Sequence, residues 1–262
     1  MLSARLAWSI LLVAPSIWGA SSDRYTTPSY SVASIVNAAT NTAGLLAPNT
    51  IATIYGSNLS YNTRAVSTAD LESGVLPTLL GGVTVYVNSI AANLFYVSPT
   101  QINFLIPNVL IPEDVNIVVA REGTAGPYVT VTLLDVAPGL FQLSKDTIVA
   151  THADGTVITA VAPAQADEIV VLYGVGLGPT DPEGSSGQLA QGPQPIRHRD
   201  LQVIVAGTPV DSGAIYYAGA TPGFAGLYQI NVKLPSVMPT NPEVRVALGG
   251  QVSPAALKIP TQ

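Results

Sequence analysis

Apolar residues recur at every second position in short runs along the chain. In Val83-Thr84-Val85-Tyr86-Val87 the three valines fall on one side of an extended backbone, with Thr84 and Tyr86 on the other. In Leu201-Gln202-Val203-Ile204-Val205 the apolar side carries Leu201, Val203 and Val205. A period of two is that of a pleated strand with one buried face. The clearest strand-like runs span 50–55, 82–87, 101–106, 115–120 and 128–133, then 168–173, 201–206, 214–217, 228–232 and 243–247. Between them, 23 Gly and 21 Pro punctuate the chain, so strands are short and turns frequent. Beyond residue 20 no stretch sustains a 3.6-residue period. Only 67–73 reads as a short helical turn, with Ser67 as cap and Asp70 three residues on. The pattern predicts an all-β protein.

Two of these runs occur twice. Ile51-Ala-Thr-Ile-Tyr-Gly-Ser-Asn-Leu59 returns as Ile169-Val-Val-Leu-Tyr-Gly-Val-Gly-Leu177, and Gln101-Ile-Asn-Phe-Leu-Ile-Pro107 as Gln229-Ile-Asn-Val-Lys-Leu-Pro235. The copies keep their order, offset by 118 residues at the first motif and 128 at the second. A repeat this long is a whole domain, well above the ~20–50 residues of a solenoid unit. The Gly after each Tyr suits positive φ or a sharp exit from the strand. Leu59 and Leu177 re-enter the core, and Pro107 and Pro235 end strands for want of an N–H. Between the copies, 148–159 reads as a hairpin turning at Asp154-Gly155. Pro138-Gly139 marks the boundary, giving domains at 21–137 and 138–262. The linker is apolar and strand-like, so the two domains are expected to pack together.

Residues 1–20 read as a secretory signal peptide, with Arg5 as the positive end, an apolar stretch from Leu6 to Trp18, and small residues at Ala20 and Ser21. No later segment is apolar enough to span a membrane. A formal net charge of -6 and no basic run argue against nucleic acid and anionic lipid as partners. The absence of cysteine removes disulfides, thiol nucleophiles and Cys–zinc sites.

The first motif, with its lead-in Leu46-Ala-Pro-Asn-Thr50 and the later Tyr96-Val-Ser-Pro-Thr-Gln-Ile-Asn103, resembles the IPT/TIG modules, immunoglobulin-like domains. The second copy resembles a narrower group, the Solibacter-type C-terminal module of exported acidobacterial proteins. It does so through Ala137-Pro-Gly-Leu-Phe141, His152-Ala-Asp-Gly155, Tyr173-Gly-Val-Gly-Leu-Gly-Pro-Thr180 and Gly226-Leu-Tyr-Gln-Ile-Asn-Val232. The resemblance implies two immunoglobulin-like β-sandwich domains in tandem and a secreted or envelope-associated protein. It implies no activity. Members usually sit behind larger domains, whereas here the modules follow the signal directly.

Candidate chemistry is sparse. His152 and His198 lie near Asp154 and Asp200, yet no G-x-S-x-G elbow accompanies them, and both read as surface histidines. Gly174-Val-Gly-Leu-Gly178 lacks the Lys-Ser/Thr of a phosphate loop. Asp154, Asp181 and Glu183 are candidate calcium ligands should the loops at one sandwich end converge; solvated carboxylates are the competing reading, since no D-x-D-x-D-G series is present. Tyr25, Tyr30, Tyr61 and Phe224 fall in loops, and Tyr61 and Phe224 head the list of sugar-stacking candidates. Tyr55, Tyr96, Tyr173, Tyr217 and Tyr228 belong to the strand motifs and read as core or corner tyrosines. The sequence therefore predicts a non-enzymatic protein for adhesion, scaffolding or protein–protein contact, with carbohydrate binding, aided by calcium or not, as the alternative. Its partners are an extracellular protein or polysaccharide, and it needs no cofactor. A site is expected in the loops that differ between copies, 62–80, 179–200 and 218–226.

Overall fold

A computed structural model describes residues 26–262. The signal-peptide segment and Tyr25 lie outside the described residues. The fold is all-β with immunoglobulin-like sheet pairs, and among the described residues the only helical elements are single 3-10 turns.

Two sheets form the first half. One runs in the order Ile35–Asn37, Ile51–Tyr55, Gln101–Leu105, Asn93–Val97, Arg64–Ala65. The other runs Val129–Thr132, Asp114–Arg121, Val83–Val87, Ile90–Ala91. The second half repeats the first sheet as Gly139–Leu140, Ile169–Val175, Tyr228–Lys233, Ile215–Ala220, Gln194–Pro195. Its other sheet runs Thr208–Pro209, Gln202–Val205, Val244–Leu248, Gln251–Val252. Neighbouring strands are antiparallel, and inward residues of the paired sheets supply the cores.

The ten runs with alternating or apolar character all form strands, with ends shifted by up to three residues. Val83, Val85 and Val87 are fully buried while Tyr86 is exposed, and Val203 and Val205 point inward. The 67–73 segment contains a 3-10 turn at Thr68–Asp70, capped by Ser67 as read from the sequence. Asp70 accepts from the Ser67 hydroxyl and amide, which holds its carboxyl below the usual range. The hairpin also forms: the His152 amide donates to the Thr156 carbonyl, and Gly155 adopts φ +85°.

The duplicated motifs pair with each other, in the same register in both halves. Ile51 faces Leu105 and Tyr55 faces Gln101; Ile169 faces Lys233 and Tyr173 faces Gln229. This register explains the recurring Gln-Ile-Asn. Its two polar residues are on one face of the strand, where Gln101 Nε2 donates to Asn103 Oδ1 at 2.9 Å and Gln229 Nε2 to Asn231 Oδ1 at 3.1 Å. The duplicated residue between them, Ile102 or Ile230, points into the core.

The glycine after each tyrosine has a different reason from the one the sequence suggested. Neither Gly56 nor Gly174 is among the positive-φ residues. Each is a place where another backbone passes too close for a side chain. A Cβ on Gly56 would lie 2.3 Å from the Ser29 carbonyl oxygen, and one on Gly174 2.5 Å from that of Gly139. The same edge segment crosses at the same point in each half, and only glycine admits it.

Candidate functional site

The two halves are locked together along one face of the first. Residues Ile51, Thr53, Gln101, Asn103 and Leu105 are buried even though they point away from the core between the first two sheets. The second half covers them. Phe141, Val149, Val175, Phe224, Ala225 and Leu227 join the first half's apolar cluster, so the division between cores does not fall cleanly at residue 138. A Cβ on Gly226 would lie 2.3 Å from Leu105, which shows how closely that loop is seated.

Polar contacts fasten the same junction. Tyr228 is fully buried; its hydroxyl donates to the Gly178 carbonyl and accepts from Asn49 Nδ2 at 2.9 Å across the junction. Burial pushes the Tyr228 hydroxyl far above the usual phenol range, so it stays protonated and able to donate. The Leu76 amide donates to Gly187 and that of Leu189 to Gly74, a short backbone ladder between loops over a hundred residues apart. Asn108 Nδ2 reaches the Gly184 carbonyl at 2.8 Å.

This corrects two expectations. The loops at 73–76, 184–190 and 223–227 do not form an open site; they grip one another. Phe224 is 8% exposed and part of the first apolar cluster, so its ring faces are covered and cannot serve as a platform. Its loop looks solvent-facing in sequence because its neighbours, Thr221, Pro222 and Gly223, are turn residues. The covering surface belongs to the other half.

The remaining site candidates are dispersed. The Tyr61 ring carries the Arg121 guanidinium on one face, 3.9 Å from its centroid. Asp154 is occupied within its own turn, accepting from the Thr156 amide at 2.9 Å and hydroxyl at 2.7 Å; these bonds hold its carboxyl below the ordinary range. Glu183 pairs with Arg197 at 3.3 Å, and Asn108 approaches its other oxygen at 3.5 Å. Asp181 begins the adjacent turn, where its amide donates to Pro195. Among the described residues, no three acidic or histidine side chains come together in a way that would hold a metal. Asp154, Asp181 and Glu183 are thus not assembled into a calcium cage.

Both histidines have carboxylate neighbours. His152 Nδ1 lies 2.5 Å from Glu168 Oε1, and this hydrogen bond raises its pKa above the ordinary 6.5. The other Glu168 oxygen accepts from the Gln165 amide at 2.8 Å, so the carboxylate ties the end of one turn to the hairpin. His198 sits between Asp135 at 3.4 Å and Asp200 at 3.8 Å. Among the described residues, neither histidine has a hydroxyl nucleophile as a hydrogen-bond partner.

Two tyrosines read as platform or corner residues have clear roles. The Tyr30 hydroxyl donates to Pro127 at 2.6 Å and accepts from the Val119 amide at 2.8 Å, pinning the first described segment to the sandwich. Tyr217 closes a corner, donating to Ala220 and accepting from Gln194. One notable residue carried no sequence signal. Arg121 is 0% exposed and donates to the carbonyls of Asn58 and Thr26. It takes an apolar position of an otherwise ordinary strand, and its partners are backbone oxygens that no side-chain motif announces.

Among the described residues, three concave surfaces stand out, one of them, about 700 Å³, lying between 205–211 and 233–239 of the second half. A cleft of about 340 Å³ opens over Thr53, Tyr55, Gln101 and Asn103, with Phe141 and the 142–145 turn of the second half as its wall. A depression of about 550 Å³ lies on the outer face of the first half's second sheet, between Tyr86 and Tyr128.

No curated protein matches the chain in sequence. Among solved structures, the surface glycan-binding protein PbSGBP-B from Prevotella bryantii is 14% identical with a TM-score of 0.28, the match covering 88% of this chain and 41% of that one. The Bacteroides ovatus mixed-linkage glucan SGBP-B, solved with a heptasaccharide, is 11% identical with a TM-score of 0.33, over 84% of this chain and 43% of that one. The plexin A4 extracellular region is 14% identical with a TM-score of 0.27, over 95% of this chain and 17% of that one. The chain thus spans less than half the length of each, and at such scores neither ligand nor partner carries over. Residues 34–133, the stretch that holds both sheets of the first half, match the IPT/TIG domain.

Proposed function

We propose that this chain is a non-catalytic extracellular binding protein, two immunoglobulin-like sandwiches fixed as one stiff unit for adhesion, scaffolding or protein–protein contact at the cell envelope. The observation that carries this reading is the junction. Much of one sheet face of the first half, Ile51 and Leu105 above all, holds the second half in place. The side chains that chemistry would need, His152, Asp154, Glu183 and His198, are engaged in local structure. Such an arrangement presents surfaces at a set distance and angle, which suits recognition and not turnover. The test is retention of the immobilised chain's partners from the exporting cell's envelope fraction and from a panel of polysaccharides, run beside an ester and glycoside turnover panel. Saturable retention with no turnover supports the reading. Turnover lost in the His152→Ala, His198→Ala double variant contradicts it.

The second reading, carbohydrate binding, is favoured by one specific observation: the uncharged depression between Tyr86 and Tyr128.

A further inference from the structure

Tyr86 lies opposite Val118 across the Val83–Val87 and Asp114–Arg121 pair. On the other side of the same strand, Val129 faces Ile117, so Tyr128, one residue earlier, lies level with Val118 too. The two tyrosines therefore flank Val118 on one line across three strands. Adjacent strands are ~4.8 Å apart, which places the tyrosine backbones about 10 Å apart. Tyr128 is 79% exposed and Tyr86 38%, while Val118 between them is only 7% exposed, so the rings border a floor instead of filling it.

The lining is Tyr86, Asn88, Ser89, Asn116, Val118, Ala120, Ala125 and Tyr128, without a charged residue. The amides are held in place. Asn88 Oδ1 accepts from the Asn116 amide at 2.8 Å, and Asn116 Oδ1 accepts from Thr130 at 2.8 Å. The bond to Thr130 orients Asn116 by its oxygen and leaves its Nδ2 hydrogens to be donated elsewhere. The depression thus offers two amphipathic rings, a small apolar floor and fixed neutral polar groups.

We infer that this face binds an uncharged oligosaccharide chain, with one sugar ring stacked on Tyr86 and another on Tyr128. This inference rests on the carbohydrate reading above. A pyranose has C–H faces that lie flat on an aromatic ring and hydroxyls that pair with amides, and tyrosine supplies both an apolar body and a polar tip. The separation of the rings selects a chain, because one sugar cannot touch both. The uncharged lining selects a neutral one, since a uronate brought here would lose hydration without gaining a cation.

The test is affinity gel electrophoresis of the full chain in gels containing β-glucan, xylan, galactomannan or polygalacturonate. At least one neutral polysaccharide is expected to retard the protein, and polygalacturonate is not. Tyr86→Ala and Tyr128→Ala are each expected to weaken retardation at least about tenfold, the size of a strong contact residue. Tyr128→Phe keeps the ring and is expected to keep most of the binding. Both positions are exposed, and an unchanged melting temperature verifies that the variants fold. Retardation that survives in the double alanine variant overturns this site while leaving the carbohydrate reading standing. A wild-type chain that no neutral polysaccharide retards overturns both.

Discussion

The central strand pair of the first half and its copy in the second share register, turn positions and the Gln–Asn ladder, yet their outer faces have opposite fates. In the first half that face is buried under the second half. In the second half it stays open: Ile169 is 41% exposed, and Val171, Gln229, Asn231 and Lys233 are all partly exposed. The sequence differences track this. Leu105, against the Gly226 loop, is replaced in the copy by Lys233, and Asn49, which donates to Tyr228 across the junction, by Asp167. Asn49 and Asp167 have almost the same backbone, φ 61° and 63°. On the open face, Lys233 and Asp167 pair with each other at 2.8 Å, which holds the Lys233 pKa above its ordinary value. One duplicated scaffold thus yields an interface where Leu105 and Asn49 stand and a solvated surface where Lys233 and Asp167 replace them. An open sheet face with charge on it also resists unwanted association.

Exchanging the distinguishing residues gives the largest expected effect. Leu105→Lys buries an unpaired ammonium in the junction and is expected to cost about 3–5 kcal/mol. Lys233→Leu, at the equivalent position, is expected to leave the urea midpoint nearly unchanged. Phe224→Ala tests the same face from the other side. Although it alters a second-half loop, it empties part of the first half's apolar cluster, with an expected loss of about 3–5 kcal/mol by urea unfolding. Tyr228→Phe deprives both Asn49 and Gly178 of a partner and is expected to cost about 1–3 kcal/mol.

Smaller effects come from the second half alone. The raised pKa of His152 means its bond to Glu168 stabilises the fold fully below pH 6.5, and that contribution fades as pH rises through the raised value. Melting temperature measured from about pH 5 to about pH 9 is expected to lose this component on the alkaline side, and His152→Gln to flatten it. Millimolar calcium is expected to leave the melting temperature where it is, because Asp154, Asp181 and Glu183 are not assembled to bind it.

The alternation of Val83 to Val87, the duplicated motifs and the strand-ending prolines make most strands of four residues or more legible from sequence. A strand buried on both faces is harder to see. Asn93–Val97 is covered on both sides, so its sequence shows no alternation. The site was less legible for a related reason. Burial of Phe224 and the meeting of Gly74 with Leu189 depend on how two domains dock, and contacts over so long a separation leave no local pattern. Tyr86 and Tyr128 are 42 residues apart and come level only through the pairing of three strands. As a solvent-facing residue of an alternating strand, Tyr86 carries no local signal of a site.

Thiol reactivity tests the central claim most directly, since the chain has no cysteine of its own to interfere. In separate variants, Leu105→Cys and Lys233→Cys, the rate of modification by a small thiol reagent under native conditions reports whether each outer face is covered. Modification at 233 is expected to run close to the rate in the unfolded chain, and at 105 to be blocked until the protein unfolds. Equal, rapid modification at both positions would contradict the junction and the account built on it.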